Sequence, residues 1–196
     1  SDIEITSIPA PFAGIGFATI WDDCTQSLYY VDYISTGQNL SIFRYGFNED
    51  RGYGAYIVGV ITSPSFILPI KDCNKYKHLF AIGVDHDVII VEWDGKSPAA
   101  KVSTLFSVEQ FDQNSRWCLA KQSKRGHFYG GSNHVTFCNS PKNASLYMYT
   151  PEKGVTRLFG GMISTTGLAY DHDHLYHVDA CTNLITAFHA TTCGDI

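Results

Sequence analysis

The chain has 196 residues, of which 44% are apolar, 14% aromatic and 17% charged, and its formal net charge is −5. A chain of this length and composition can bury one core, which excludes a disordered protein. Because no block of Lys and Arg occurs and the apolar runs are only as long as a strand, we predict neither nucleic-acid binding nor a membrane span.

Short β-branched and aromatic runs, separated by Asp, Asn and Gly turns, predict strands along the whole chain. Segment 3–8 alternates apolar and polar residues and ends at Pro9, as expected of a half-buried strand. Further strands are predicted at 17–21, 28–33, 40–45 and 53–60; at 65–70, 79–84, 88–93 and 101–108; at 116–121, 127–131, 146–150 and 155–159; and at 167–170, 175–179 and 184–190. A long loop is predicted at 132–143, and no amphipathic helix is expected.

The strand pattern repeats along the chain. Segment 21–32 has the pattern strand, Asp-rich turn, strand, and a degenerate copy occurs at 170–179. Equivalent second strands contain Leu28, Leu79, Phe128 and Leu175, at intervals of 51, 49 and 47 residues. Four strands in a repeat of this length are typical of β-propeller blades. We therefore predict an all-β propeller with blades near 16–60, 65–108, 116–159 and 167–196, in which 3–8 is a closing strand.

Cysteines and glycosylation sequons indicate the cellular setting. The six cysteines, none in a CxxC pair, are Cys24, Cys73, Cys118, Cys138, Cys181 and Cys193. This spacing argues against a zinc ribbon or a thioredoxin-type site. Two sequons begin at Asn39 and Asn143, beside predicted turns. Together these features predict a secreted glycoprotein with disulfides.

Two Asp/His-rich segments have the residue types of a metal site. One contains His172, Asp173, His174 and His177, and the other is segment 85–87. Both also fit hairpin turns, and the first aligns with the Asp-rich turn at 22–23. We therefore expect structural turns at both places. A serine hydrolase is not predicted, because no Gly-x-Ser-x-Gly nucleophile elbow is present.

Several stretches resemble the SMP-30/gluconolactonase/regucalcin family. The run WDDCTQSLYYVD at 21–32 is similar to the family's first blade, and TGLA at 166–169 followed by LYHVD at 175–179 is similar to a later one. FILPI at 66–70 and IVEWDG at 90–95 resemble the insect branch that includes luciferin-regenerating enzymes. The resemblance implies a six-bladed propeller, of which this chain holds about four blades. The activity it implies is hydrolysis of sugar lactones or related esters with one divalent cation.

Most of the functional positions that the resemblance implies are altered. Phe17 stands where the family has a metal-binding Glu, and Thr166 stands where it has a metal-binding Asn. Arg116 matches a substrate-binding Arg, but Cys118 replaces the substrate-binding Asn. Since a phenyl ring cannot ligate a cation, we expect no metal cofactor. Instead, we predict a central pocket for an organic ligand, formed by Phe17, Arg116, Trp117, Cys118 and Thr166.

Three questions stay open at this point. Arg116 either binds a carboxylate or another oxygen-rich group in the pocket or pairs with an acid such as Asp112. Cys118 is either a nucleophile with His134 as its base or, more simply, the disulfide partner of Cys138, pinning the third-blade loop. The missing blades either lie on a second polypeptide or are unnecessary, because segment 3–8 closes a small four-bladed ring.

The functional prediction is a secreted propeller that has lost the family's lactonase machinery. It would bind a small organic ligand, such as a pigment, hormone or lipid-like molecule, or a protein partner. The alternative is a metal-dependent lactonase or esterase with a rebuilt site.

Overall fold

The computed structural model describes residues 5–35, 39–70, 78–123, 126–171 and 174–189. Strands of the first blade are β1 (Gly16–Asp22), β2 (Ser27–Asp32), β3 (Ile42–Gly46) and β4 (Arg51–Ile57). Those of the second are β5 (Pro64–Pro69), β6 (Leu79–Val84), β7 (Asp87–Glu92) and β8 (Ala99–Ser107). The third blade has β9 (Ser115–Gln122), β10 (Phe128–His134), β11 (Ala144–Thr150) and β12 (Gly154–Met162). The fourth has β13 (Gly167–Asp171), β14 (His174–Asp179) and β15 (Leu184–His189).

Each blade is an antiparallel meander in which sequential strands are hydrogen-bonded neighbours. The outer strands of the first two blades also meet, because Tyr56 and Ile57 of β4 pair in parallel with Ala99 and Ala100 of β8. Two short 3₁₀ helices, Phe47–Glu49 and Phe137–Asn139, lie in connections. The all-β propeller architecture with four-stranded blades is therefore confirmed. Among the helices of the described ranges, none has the length and hydrophobicity of a membrane span.

The strand predicted at 3–8 is wrong over its described part, since residues 5–8 form no strand. The Ile5 side chain is 91% exposed. The chain just after this segment is anchored to the first blade, where the Tyr30 hydroxyl donates to the Pro11 carbonyl at 2.7 Å. The Pro11 ring packs so closely on Gly52 that a Cβ there would collide with it. Residues 5–8 therefore do not complete the fourth blade, whose sheet contains β13, β14 and β15.

Apolar side chains fill the interfaces between successive blades. A first cluster, which includes Ile42, Ile82 and Trp93, joins the first two blades. A second surrounds Trp117 between the second and third blades, and a third contains Leu146 and Leu175 between the third and fourth. Each large side chain buried in this way contributes about 1.5–3 kcal/mol. Because the sheets are covered on both faces, strands such as β7 are apolar almost throughout.

A recurring Asp explains why segments 21–32 and 170–179 resemble each other. Asp32, at the end of β2, accepts hydrogen bonds from the backbone N–H groups of Gly14 and Ile15 at 2.8 and 3.1 Å. Asp179, at the end of β14, accepts one from Ile163 at 3.0 Å. In both blades the carboxylate holds the segment that leads into the first strand. The repeat therefore preserves the attachment of the first strand to the second.

Candidate functional site

The candidate site lies where the first strands of successive blades approach one another. Strand β5 contacts both β1 and β9, and β9 contacts β13. Asn133, near the end of β10, is opposite Arg116 of β9 and also forms an isolated bridge with Ser164, just before β13. We call Tyr33, Arg116, Cys118, Asn133 and Ser164 the inner cluster. It joins the first, third and fourth blades.

Aromatic rings form one wall of the inner cluster. The Arg116 Cζ atom lies 4.5 Å from the centroid of the Tyr33 ring, a cation–π geometry. The Phe17 ring lies 5.0 Å from the same ring, centroid to centroid. The guanidinium is therefore held over an aromatic surface that extends toward β1.

Several polar atoms of the inner cluster are buried and lack hydrogen-bond partners within the protein. Asn133 and Ser164 are both 0% exposed. Five of the six buried, unpartnered side-chain atoms in the described ranges lie here: Tyr33 Oη, Arg116 Nε, Asn133 Oδ1 and Nδ2, and Ser164 Oγ. Buried polar groups in proteins are almost always hydrogen-bonded, and each one left unsatisfied costs about 1–3 kcal/mol. Their concentration at one place indicates a site that solvent or a ligand completes.

Arg116 carries the positive charge of the inner cluster. Burial raises the pKa of the Cys118 thiol to about 12, although the nearby Arg116 charge opposes this shift. Burial also raises the pKa of Tyr33, and the Cys118 side chain adds to that effect. Both groups are neutral at physiological pH. Cys118 lies beside Ser164, and Tyr33 beside Asn133, but neither pair forms a hydrogen bond of normal geometry.

No acid neutralises Arg116 in the described part of the chain. The ion pairs there are those of Arg44 and Lys96 with Glu49, at 2.7 and 3.1 Å. Asp112 instead accepts a hydrogen bond from the backbone N–H of Asn114 at 3.0 Å. The alternative in which Arg116 pairs with Asp112 is therefore wrong.

Of the five residues predicted for the central pocket, the structure brings three together and places two elsewhere. Phe17, Arg116 and Cys118 meet at the inner cluster. Trp117 packs between the second and third blades, where its indole N–H donates to the His86 carbonyl at 3.1 Å. Its ring is 0% exposed and packs against the rings of Phe66 and Phe128, outside the inner cluster.

Thr166 is also absent from the inner cluster. Its hydroxyl donates to the Val178 carbonyl and accepts from the Ala180 N–H, both at 3.0 Å. These bonds tie the start of β13 to the end of β14. Thr166 and Trp117 therefore lie outside the inner cluster, and their assignment to a ligand pocket stays a prediction.

The predicted Cys118–Cys138 disulfide is wrong as well. Cys138 is bonded to Cys181, with 5.0 Å between their Cα atoms, and Cys118 is a buried free thiol. The bridge connects the loop after β10 to the loop after β14, so it joins the third blade to the fourth.

The alternative pair of Cys118 with His134 is not assembled either, because the His134 imidazole interacts with the Thr136 hydroxyl at 2.8 Å. Cys24 is disulfide-bonded too.

The Asp/His-rich segments do not form a ligand set in the ranges that the structure describes. His172 and Asp173 lie outside those ranges. His177 is buried against the Thr165 hydroxyl at 3.0 Å, and His174 is three residues away on the same strand, which places it on the other face. No group of three or more His, Cys, Asp or Glu side chains suited to a metal ion occurs in the described ranges. Segment 85–87 forms a hairpin turn, as expected.

Sequence reasoning missed Tyr33, Asn133 and Ser164. Asn133 lies in the predicted loop at 132–143, Ser164 lies between two predicted strands, and Tyr33 is the last residue of a predicted strand. The repeat nevertheless contained a signal: Tyr33 follows Leu28 by five residues, and Asn133 follows Phe128 by the same interval. Equivalent positions of two blades therefore place polar side chains at the same end of the second strand.

Comparison with known proteins identifies the family. The model of the SMP-30/gluconolactonase/LRE-like region matches residues 15–195. The chain belongs to this family. It is similar in structure to a luciferin-regenerating enzyme, with a TM-score of 0.81 and 21% identity over 93% of this chain. It is also similar to a calcium-binding regucalcin from Agrobacterium tumefaciens, with a TM-score of 0.72 and 13% identity over 94% of this chain.

The SMP-30 family chain described here is shorter than these relatives. It spans 58% of the luciferin-regenerating enzyme and 57% of the regucalcin. No curated protein sequence matches it. The predicted family resemblance is confirmed, and the likeness to the solved structures concerns the fold.

The described residues of the inner cluster do not fit the divalent cation that the family implies. Hard cations require several oxygen ligands, usually including carboxylates. The cluster offers the neutral oxygens of Tyr33, Asn133 and Ser164 beside the positive guanidinium of Arg116, and Phe17 contributes a ring. A positive charge among neutral donors suits an anionic or oxygen-rich organic group better than a second cation.

Proposed function

We propose that this family member is a secreted, non-catalytic protein that binds a small organic ligand at the inner cluster. The observation that carries the proposal is the group of five unpartnered buried atoms around an unneutralised Arg116. A ligand that supplies hydrogen bonds to these atoms would remove their desolvation cost, which favours the bound state.

The chemistry of the inner cluster defines the head group of the ligand. Arg116 favours a carboxylate or another oxygen-rich group, because charge-assisted bonds from a guanidinium are the strongest available here. Asn133 adds one acceptor and one donor, while Tyr33 and Ser164 add hydroxyls. The rings of Phe17 and Tyr33 would pack on an apolar portion. An acidic pigment, hormone or lipid-like molecule combines these properties.

The non-catalytic assignment is supported by the residues themselves. The raised pKa of Cys118 disfavours the thiolate that nucleophilic catalysis requires. The alternative is a metal-dependent lactonase or esterase with a rebuilt site, which the retained substrate-position Arg116 favours.

A second polypeptide that supplies further blades would fit either function, since β15 is an edge strand of its sheet with Leu184 and Ile185 exposed.

An uptake experiment tests the binding function. Recombinant wild type and Arg116→Met are incubated with the same extract of the source tissue, repurified and analysed for released small molecules by mass spectrometry. We expect at least a tenfold enrichment of one organic acid on the wild type and its loss in Arg116→Met. The control is Arg51→Met, which removes an exposed guanidinium lying over Tyr53. Absence of enrichment on the wild type would contradict the proposal.

A hydrolysis assay separates the two functions. Turnover of sugar lactones is measured with and without EDTA, and we expect no chelator-sensitive activity. Turnover that EDTA abolishes and Ca²⁺ or Zn²⁺ restores would establish the lactonase alternative.

A further inference from the structure

A surface groove on the third blade brings an exposed aromatic ring beside a glycosylation sequon. The groove is shallow and open to solvent, with a volume of about 540 Å³, and is lined by residues that include Phe111, Asn114, His134, Pro141 and Asn143. Phe111 is 91% exposed. The ring is therefore accessible to a group that lies in the groove.

The sequon beside Phe111 is Asn143-Ala144-Ser145. The Asn143 N–H donates to the Pro141 carbonyl at 2.8 Å, which fixes the turn just before β11. The Asn143 side chain is exposed, whereas the Ser145 hydroxyl is buried and accepts a hydrogen bond from Arg157 at 2.9 Å. Since sugar is transferred while the chain is still unfolded, burial of Ser145 does not prevent the modification. The exposed Asn143 leaves room for a glycan in the folded protein.

We propose that Asn143 carries an N-linked glycan whose first N-acetylglucosamine packs on the Phe111 ring. One face of that sugar presents C–H groups, which pack favourably on an aromatic ring. Asn114 and His134 are polar groups of the same groove that can bond to the acetamide and hydroxyl groups. Covalent attachment at the groove keeps the sugar at a high effective concentration, so even a weak contact is populated. This inference is independent of the ligand at the inner cluster.

The first test measures occupancy and stability. Wild type, Asn143→Gln, Phe111→Ala and the double variant are secreted as full chains from a eukaryotic host. We expect Asn143→Gln to lose the mass of one glycan. We expect Phe111→Ala to keep the glycan but to lose about 2–4 °C of Tm, the shift typical of one contact in a domain of this size. The double variant should melt no lower than Asn143→Gln.

Matched controls isolate the ring and the sugar. Phe12→Ala removes another ring that is 90% exposed but lies outside the groove, so its effect on Tm should not depend on the Asn143 glycan. Asn39→Gln removes the other sequon, and Phe111→Ala should lower Tm equally in that background. Cell-free translation with microsomes gives the occupancy of Asn143 even for a variant that is not secreted.

The second test detects the contact itself. The N-acetyl methyl protons of the Asn143 glycan should show an upfield ring-current shift by NMR that disappears in Phe111→Ala. An unmodified Asn143 both in secreted protein and in microsomes, or a methyl signal at the position of the free sugar, would overturn the inference. Self-association of the wild type that Phe111→Ala abolishes would instead assign the ring to a contact between copies, and would overturn it too.

Discussion

Arg116, which is half-buried, differs from the buried Arg44 of the first blade in the way its side chain is hydrogen-bonded. Arg44 donates to the Ser27 hydroxyl at 2.9 Å and to Glu49 at 2.7 Å. The Nε atom of Arg116 has neither kind of partner and is held over the Tyr33 ring. A buried donor left in this state is destabilising unless a bound group accepts its hydrogen bond. An unpartnered donor that lowers the stability of the ligand-free protein is expected of a residue that binds a ligand.

Arg116→Met should therefore stabilise the ligand-free protein. We expect its free energy of unfolding to rise by about 1 kcal/mol, because removal of an unsatisfied polar group exceeds the loss of the cation–π contact. Urea denaturation of ligand-free recombinant protein measures the change. Arg44→Met is the control and should lose about 2–3 kcal/mol, because it breaks satisfied charge-assisted bonds. A destabilised Arg116→Met would argue that Arg116 has a structural role.

Cys118 should be inert in the folded protein. Burial raises the pKa of Cys118 far above pH 8, so the thiol is neutral there, whereas the thiolate is the reactive form. We expect iodoacetamide to leave Cys118 unmodified in native protein and to alkylate it fully in guanidinium chloride, as read by peptide mass spectrometry. Rapid alkylation of the native protein would restore the nucleophile hypothesis.

The carboxylate of Asp32, at the end of β2, holds the segment that leads into β1. Burial alone would raise the pKa of Asp32, but the N–H groups of Ile15, Gly14 and Ile34 stabilise the charged form and lower the pKa below its usual value. A carboxyl with a lower pKa in the folded state stabilises the protein above its unfolded pKa of about 3.9. That contribution is lost as the pH falls through the folded pKa.

Asp32→Asn should lower stability at pH 7 by about 2 kcal/mol, because an amide nitrogen cannot accept the bonds that the carboxylate accepts. It should also reduce the fall in stability below about pH 4. Urea midpoints measured between pH 2.5 and pH 7 test both effects. Asp23→Asn, in the exposed turn before β2, is the matched control and should leave the profile unchanged. An identical acid profile in Asp32→Asn would contradict this account.

The Cys138–Cys181 bridge connects the third and fourth blades across 43 residues. Its removal in Cys138→Ser/Cys181→Ser should cost about 2–4 kcal/mol through loop entropy in the unfolded chain. Denaturant unfolding measures the loss, and non-reducing peptide mapping verifies the pairing. Cys118→Ala is the control and should retain the bridge. A Cys118–Cys138 peptide in the non-reducing map of the wild type would contradict the structure.

Individual strands were predictable because their determinants are local. Alternating apolar residues and Asp, Asn or Gly turns identify every strand from β1 to β15, usually within a few residues. Segment 3–8 has the same alternation but is not a strand over its described part, because Pro11 is held on the first blade. Alternation predicts a strand only where a partner edge is within reach.

The candidate site was less predictable because it depends on contacts between blades. Family positions point to Phe17 on β1 and to Arg116 and Cys118 on β9, which the structure brings near one another. Asn133 meets Ser164, and Cys138 meets Cys181, only because the third and fourth blades pack together. Local spacing contains no information on those pairings. Trp117 packs between the second and third blades, and the irregular register of β9 at this point is not visible in the spacing of the sequence.

At the scale of the whole molecule, the central claim is that the propeller is a carrier of an organic ligand. Blades that bury their faces against one another provide a rigid frame. The inner cluster, with the positive charge of Arg116 and its unpartnered polar atoms, lies within that frame. Native mass spectrometry of the protein isolated from its natural source tests this claim most directly. We predict one non-covalently bound organic acid per chain, released on denaturation. A native mass equal to that of the polypeptide with its covalent modifications would contradict the account.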